Sequence, residues 1–257
     1  MGASRRPFAA GHCRRRRLAV IVVAILVAGT GAVAIIAWPG RHTAPGAAGS
    51  AGRARSIPPS AAASSSSVPG RLPRADLAGL GWADFHGVEL PVSRSAGPRD
   101  VRRGLAAGFA DSPLGALLAA VNIAVRANAQ WGPGIFGPTI RHQVTGPGTA
   151  ALLSACRSSY GRASQAAGVS GGKPLGRVFV AEEAFRWVAY TRSDATVDIV
   201  SAGPGGDGST VRAVTRIEVV WSGRDWRVIA PPGGDWGNSA AALTSITGYT
   251  RFPNPAA

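Results

Sequence analysis

The stretch Val211-Arg212-Ala213-Val214-Thr215-Arg216-Ile217-Glu218-Val219-Val220-Trp221 decides the fold. Val211, Ala213, Thr215, Ile217, Val219 and Trp221 share one parity; Arg212, Val214, Arg216, Glu218 and Val220 share the other. A period of two marks a strand with one face on a core and the other turned outward. The same alternation predicts strands at Val178–Val180, Phe185–Thr191, Ala195–Ala202 and Trp226–Ala230. Asp194 falls in a turn, Gly203–Gly208 is a loop, and Ser222-Gly223-Arg224-Asp225 makes a tight hairpin. In the flanking strands Phe185, Trp187 and Ala189 oppose Arg186, Val188 and Tyr190, while Trp226 and Val228 oppose Arg227. The outward face therefore mixes aliphatic residues with Arg186, Arg212, Arg216 and Arg227. Arginine beside aliphatic surface suits a protein contact, and these four are the candidate partner face.

Upstream the period lengthens to that of a helix. Ser112-Pro113 supplies an N-cap followed by proline at the first helical position. Leu114, Leu117, Leu118, Val121 and Val125 then fall on one stripe, with Gly115, Ala116, Ala119 and Ala120 allowing close packing. Trp131–Pro138, with two prolines and three glycines, predicts a break or turn. A second helix is expected after Gly148 as far as Ala167, with Leu152, Leu153, Cys156 and Tyr160 on its apolar stripe and Gly168 as its stop. Trp82–Pro91 reads as an extended lead-in. Helices followed by a meander of antiparallel strands give an α+β domain, helices packed on one face of a curved sheet.

The N-terminal third is different. The chain of 257 residues carries a net charge of +15, yet residues 1–75 hold 11 arginines and no acid, while residues 76–257 hold 17 Lys+Arg against 13 Asp+Glu. Leu18–Trp38 is 21 residues without a charge, about 31 Å as a helix, enough for a bilayer core of about 30 Å. Arg5, Arg6, Arg14, Arg15, Arg16 and Arg17 precede it, and Arg41 alone follows closely. This asymmetry sets the N-terminus in the cytoplasm and the C-terminal part outside, with Arg14–Arg17 as topology determinants. A cleaved signal peptide has a shorter apolar region and a small-residue cleavage site, unlike Ile35-Ile36-Ala37-Trp38-Pro39. From Pro39 to Ala75, 27 of 37 residues are Ala, Gly, Ser or Pro, too few apolar groups to offset ordering entropy. The expected organisation is a basic cytoplasmic tail (1–17), a transmembrane helix (18–38), a disordered linker (39–79) and an extracytoplasmic domain (80–257). The basic charge thus serves threading and attraction to anionic lipid, and no nucleic-acid partner is expected.

Gly108-Phe109-Ala110-Asp111-Ser112-Pro113-Leu114-Gly115-Ala116, Trp131-Gly132-Pro133 and Trp221–Val228, together with the order of elements, resemble extracytoplasmic domains of actinobacterial single-pass membrane proteins found near conjugative elements. The layout is similar to the nuclear transport factor 2-like (cystatin-like) cone, carried by the bitopic scaffold proteins of type IV secretion and conjugation machines. The resemblance implies integral membrane attachment, protein partners or a homo-oligomer, and a scaffold or accessory role. Such cones also hold small ligands or act as enzymes, the alternative reading.

Catalytic patterns are weak. Gly168-Val169-Ser170-Gly171-Gly172 matches GxSxG, but a nucleophile elbow runs from strand to helix and here a helix precedes. Gly171-Gly172-Lys173-Pro174 lacks the phosphate-loop spacing. His42, His86 and His142 show no metal-binding spacing, and Glu182 and Glu183, adjacent on a strand, face opposite sides. Asp194 and Asp198 read as turn and solvent-face residues. Cys13 and Cys156 lie on opposite sides of the membrane and cannot pair, so Cys156 reads as a buried thiol. No catalytic residue, metal or cofactor is expected.

Overall fold

A computed structural model of the chain describes residues 72–205 and 208–253. The tail, Arg14–Arg17, the apolar run 18–38 and most of the linker lie outside the described residues. Among those described, no helix is long and apolar enough to cross a membrane. Ala75 and Leu77, in the span assigned to the linker, pack against the core together with Leu80.

The lead-in is a hairpin, β1 (Gly81–Phe85) and β2 (Val88–Val92). Its two central residues, His86 at φ 55° and Gly87 at φ 97°, both take the left-handed conformation that a two-residue hairpin needs. A Cβ on Gly87 would stand 2.2 Å from the Val178 carbonyl oxygen, so only glycine fits. A separate two-stranded hairpin, β3 (Asp100–Arg102) with β4 (Leu105–Ala107), leads to the first helix.

Helix α1 (Pro113–Arg126) begins as the sequence predicts: Ser112 Oγ accepts from the Gly115 N–H at 3.1 Å, and Pro113 opens the helix. All twelve residues from Gly115 to Arg126 are buried. The helix therefore lies inside the domain, against β2, β4 and the large sheet. Leu117, Leu118, Val121, Ile123 and Val125 are each at most 1% exposed, each contributing about 1.5–3 kcal/mol by leaving water.

The expected break at Trp131–Pro138 is corrected by the structure. A 3-10 turn at Ala129–Trp131 is followed by α2 (Pro133–Gln143). Pro133 occupies the first helical turn, where no N–H is needed. Pro138 would bond back to Gly134, whose position is exposed, so water can take the freed carbonyl. Burial of Phe136, Thr139 and Ile140 outweighs the local cost of the prolines. After β5 (Val144–Thr145), α3 (Thr149–Ala167) runs as predicted to Gly168 in the left-handed conformation, with Leu152, Cys156 and Tyr160 buried.

The sheet follows. The two strands expected at Val178–Val180 and Phe185–Thr191 are one, β6 (Val180–Tyr190), because bulges at Glu182/Ala184 and Trp187/Ala189 absorb the breaks in its alternation. β7 (Asp194–Pro204), β8 (Thr210–Trp221) and β9 (Trp226–Ile229) complete the meander. β10 (Ala240–Ala242) joins the β8 edge, and β11 (Thr250–Arg251) joins β6. The path is β1-β2-β6-β7-β8-β9-β5, antiparallel except for β2 beside β6 and β5 beside β9. The result is a mixed α+β domain, helices on a strongly curled sheet that forms a half-barrel. α1 fills its concavity. Residues 243–249 carry the chain from the β8 edge to the β6 edge, with the Tyr249 ring 4.5 Å from the Arg186 guanidinium.

Two segments singled out in the sequence meet in space. The Asp225 carboxylate accepts from the Gly108 and Phe109 N–H groups at 2.7 and 3.0 Å, and Trp226 Nε1 donates to the Ala110 carbonyl at 2.9 Å. These bonds fasten the start of α1 to the β8–β9 hairpin.

Candidate functional site

Register places Arg186 opposite Asp198 and Asp198 opposite Arg216 on the outer face. The reading of Asp198 as a solvent-face residue is corrected: it is 3% exposed, beneath two guanidiniums. Arg186 Nη2 donates to Oδ2 at 2.8 Å; Arg216 donates through Nε to Oδ1 at 2.8 Å and through Nη2 to Oδ2 at 3.2 Å. Burial alone would raise the Asp198 pKa, but the hydrogen bonds from Arg216 and Arg186 outweigh it and hold the carboxyl below its ordinary range. The hydrogen bonds to Asp198 raise both arginines in turn. Arg212 grips Glu183 with two nitrogens, and Arg251 reaches the same carboxylate at 3.2 Å. Three of the four proposed contact arginines are thus engaged by acids. Arg227 has no hydrogen bond or ion pair among the described residues and is exposed. Asp194 sits at the turn into β7, its N–H donating to Thr191 Oγ1 at 2.9 Å.

The residue that sequence reasoning passed over is Glu182. It does face the other way from Glu183, inward beside Ser201, which shares a face with Val197 and Ile199. It is 3% exposed. Ser201 Oγ donates to Oε2 at 2.8 Å, and Oε1 is buried with no partner. Desolvation pushes the Glu182 carboxyl up to about 7, against a smaller lowering by the Ser201 hydroxyl. A signal was present: Val180 and Phe185 lie on one face although their parities differ. A bulge must intervene, and before it position 182 keeps the core parity of Val180.

A cleft of about 280 Å³ opens beside this bulge. There β2 has left β6 after the Glu89–Ala181 pair, and β11 joins only at Ala184. Trp82 and Phe252 form its aromatic wall, their rings 6.0 Å apart and edge-on. A more open recess adjoins it at the same end of β6 and β7, sharing Ala181 and Ala202, beside Phe179, which is 68% exposed.

Other polar groups are structural. Arg126 is buried, donates through Nη1 to the Asn122 carbonyl and Oδ1, and lies 4.4 Å from the Phe85 ring centroid. Burial lowers its pKa to about 10, so it stays charged at neutral pH. Cys156 donates to the Ala127 carbonyl, and burial pushes its thiol up to about 12, leaving little nucleophilic thiolate. His86 stacks on Trp131 at 5.5 Å. Ser170 follows the end of α3 with no elbow around it. No group of three His, Cys, Asp or Glu side chains suited to a metal occurs among the described residues.

The family model of DUF8175, a domain of unknown function, matches residues 42–251. The chain belongs to this family. No curated protein and no solved structure matches it. The DUF8175 match takes in the Asp225 clamp and the cleft beside Glu182 apart from Phe252 and Pro253, and it starts four residues beyond the apolar run.

Proposed function

We propose that this DUF8175 protein is a single-span membrane protein whose domain lies outside the cytoplasm and binds other proteins, as a scaffold or accessory module of a conjugation or secretion assembly. The observation that carries the reading is the burial of α1 on all sides: the helix occupies the concavity in which a cone would hold a ligand. Recognition is then left to the outside of the sheet, the face that carries the paired arginines and, opposite Val220, exposed Arg227. The arginine block and apolar run provide the anchor, and three helices before a curled meander agree with a nuclear transport factor 2-like domain.

The test uses the full chain. Alkaline phosphatase fused after Ala257 is expected to be active in membrane-bound protein, and a photocrosslinker at Arg227 is expected to give discrete adducts larger than the monomer. The Arg227 side chain has no hydrogen bond or ion pair among the described residues, so its replacement is expected to leave the fold intact. Cytoplasmic phosphatase inactivity removes the topology, and absence of adducts removes the contact face.

A further inference from the structure

Charge divides the folded domain unevenly. Residues 93–177, which make the β3–β4 hairpin and the three helices, carry ten Lys+Arg against two Asp; residues 178–257, which make the meander, carry seven Arg against eight acids. After Asp111 the next acid is Glu182, so α2 and α3 hold none. The pieces of the basic half lie side by side. Thr139 Oγ1 on α2 donates to the Gly104 carbonyl at 2.9 Å, and the Gln143 amide bonds both backbone groups of Ala106. Phe136 on α2 meets Tyr160 on α3 with ring centroids 6.2 Å apart. Hairpin, α2 and α3 thus form one layer on the helical side of the sheet, with Arg103, Arg141, Arg157 and Arg162 exposed. Within the hairpin segment Val101 is 59% exposed. Asp100 pairs with Arg102 at 2.6 Å, Arg99 donates only to the Ser95 carbonyl, and the Arg94 and Arg103 side chains have no hydrogen bond or ion pair among the described residues. Three arginines beside an exposed aliphatic side chain therefore lack a counter-charge.

That combination fits an anionic bilayer surface, which draws basic groups to its phosphates and takes an aliphatic side chain into its interface. Nucleic acid fits less well. Single strands are held by base stacking on aromatic rings, and the one exposed Phe, Tyr or Trp among the described residues is Phe179, which belongs to the sheet. The path of the chain points the same way. The tether reaches the domain at β1, whose first residue, Gly81, pairs with Val92, the last of β2. From Val92 the chain passes at once to Arg94 and the hairpin, so the side that receives the tether carries the free arginines. We propose that the Arg94–Arg103 segment docks on anionic phospholipid headgroups of the bilayer that holds the anchor, with Val101 entering the interface. The inference rests on the membrane reading and adds an orientation to it. With the helical side against lipid, the outer face of the sheet and Arg227 are turned away from the bilayer, toward partners.

The experiment reconstitutes the full chain in vesicles of phosphatidylcholine alone, or of phosphatidylcholine with one-third phosphatidylglycerol, and reads amide hydrogen exchange by mass spectrometry. Amides of residues 94–105 are expected to exchange about fivefold more slowly in the anionic vesicles, a difference that molar salt removes. Arg94→Glu with Arg103→Asp is expected to abolish the difference. Both positions are exposed, and aspartate before Gly104 suits the left-handed turn, so exchange elsewhere in the domain should match the parent. Val101→Ser is expected to weaken the protection and leave it salt-sensitive. Equal exchange in the two lipids, protection that survives the double substitution, or a Val101→Ser chain protected like the parent overturns the proposal. Short duplex DNA that protects the segment equally in phosphatidylcholine vesicles overturns the lipid assignment. Alkaline carbonate scores the anchor separately. A chain that resists it without lipid-dependent protection loses the docking alone; a chain that is released is mixed with the same vesicles, and the same comparison decides.

Discussion

Asp198 and Glu182 sit on neighbouring strands of one sheet, each 3% exposed, and their carboxyls shift in opposite directions. Asp198 lies on the outer face, where arginine side chains arch over it with their outer ends in water: the Arg186 and Arg216 side chains remain 47% and 51% exposed. Their charges are solvated on one side and paired on the other, so Asp198 stays ionised. Glu182 lies on the inner face, where the Ser201 hydroxyl is its one hydrogen-bond donor and no cation pairs with it among the described residues. Its charged form is disfavoured. The accessible fraction is the same, but Asp198 lies just beneath the outer surface and Glu182 deeper in the core, so a partner reaches only the first without itself leaving water.

The strongest way to break this contrast is to strip Asp198 of both partners. Arg186→Ala with Arg216→Ala is expected to cost about 3 kcal/mol of unfolding free energy at pH 7, since an unpaired buried carboxylate remains. Either single variant is expected to cost less than half of that, because the other guanidinium persists. Urea unfolding measures it; a double variant within 1 kcal/mol of the parent would show that Asp198 gains water and needs no partner. Charge reversal at Arg212 and Arg216 is unsuitable as a test of the contact face, because it sets new carboxylates against Glu183 and Asp198.

Glu182→Gln acts in the other direction. The folded-state pKa of Glu182, about 7, stands above its ordinary 4.5. The native state therefore holds the proton more tightly, and stability conferred by the protonated form is present below about pH 4.5 and lost as pH rises to 7. The glutamine variant is expected to lose this decline and to be about 2 kcal/mol more stable than the parent at pH 8. That is less than the full shift carries, because the buried amide brings its own unpaired N–H. Urea unfolding at pH 5 and pH 8 is the measurement, and parallel pH profiles for the two proteins would contradict it.

The parts legible in the sequence were those where local pattern and tertiary packing agree. The Ser112-Pro113 cap, the stop at Gly168 and the alternation of Thr215–Val219 reappear in the structure because each is dictated by backbone chemistry within a few residues, whereas Val211, of the same parity as the core residues, is exposed. Pro133 and Pro138 misled because burial of Phe136 and Ile140, set by distant strands, decides in favour of helix. Asp198 misled because parity reports which face a residue is on and says nothing of what covers that face. The cleft was beyond reach for a related reason. It is assembled from β1, β2, β6, β7, β8 and β11, and only the mismatch in parity between Val180 and Phe185 hints at the bulge that opens it.

The finest test of the contrast is Ser201→Ala. The Ser201 hydroxyl is the sole hydrogen-bond donor to Glu182 among the described residues, at 2.8 Å on Oε2, and it pulls against desolvation. Removing it leaves both oxygens without a donor, so the carboxyl pKa should rise further and the decline in stability should extend to higher pH. At pH 8 the loss is expected to be about 1 kcal/mol, the usual worth of one such bond; at pH 5, where Glu182 is neutral in both proteins, it should be smaller. A purely structural serine would cost the same at both values. An equal loss at pH 5 and pH 8, or an unmoved Glu182 carboxyl resonance in a carbon-13 titration, would place the control of this group elsewhere in the core.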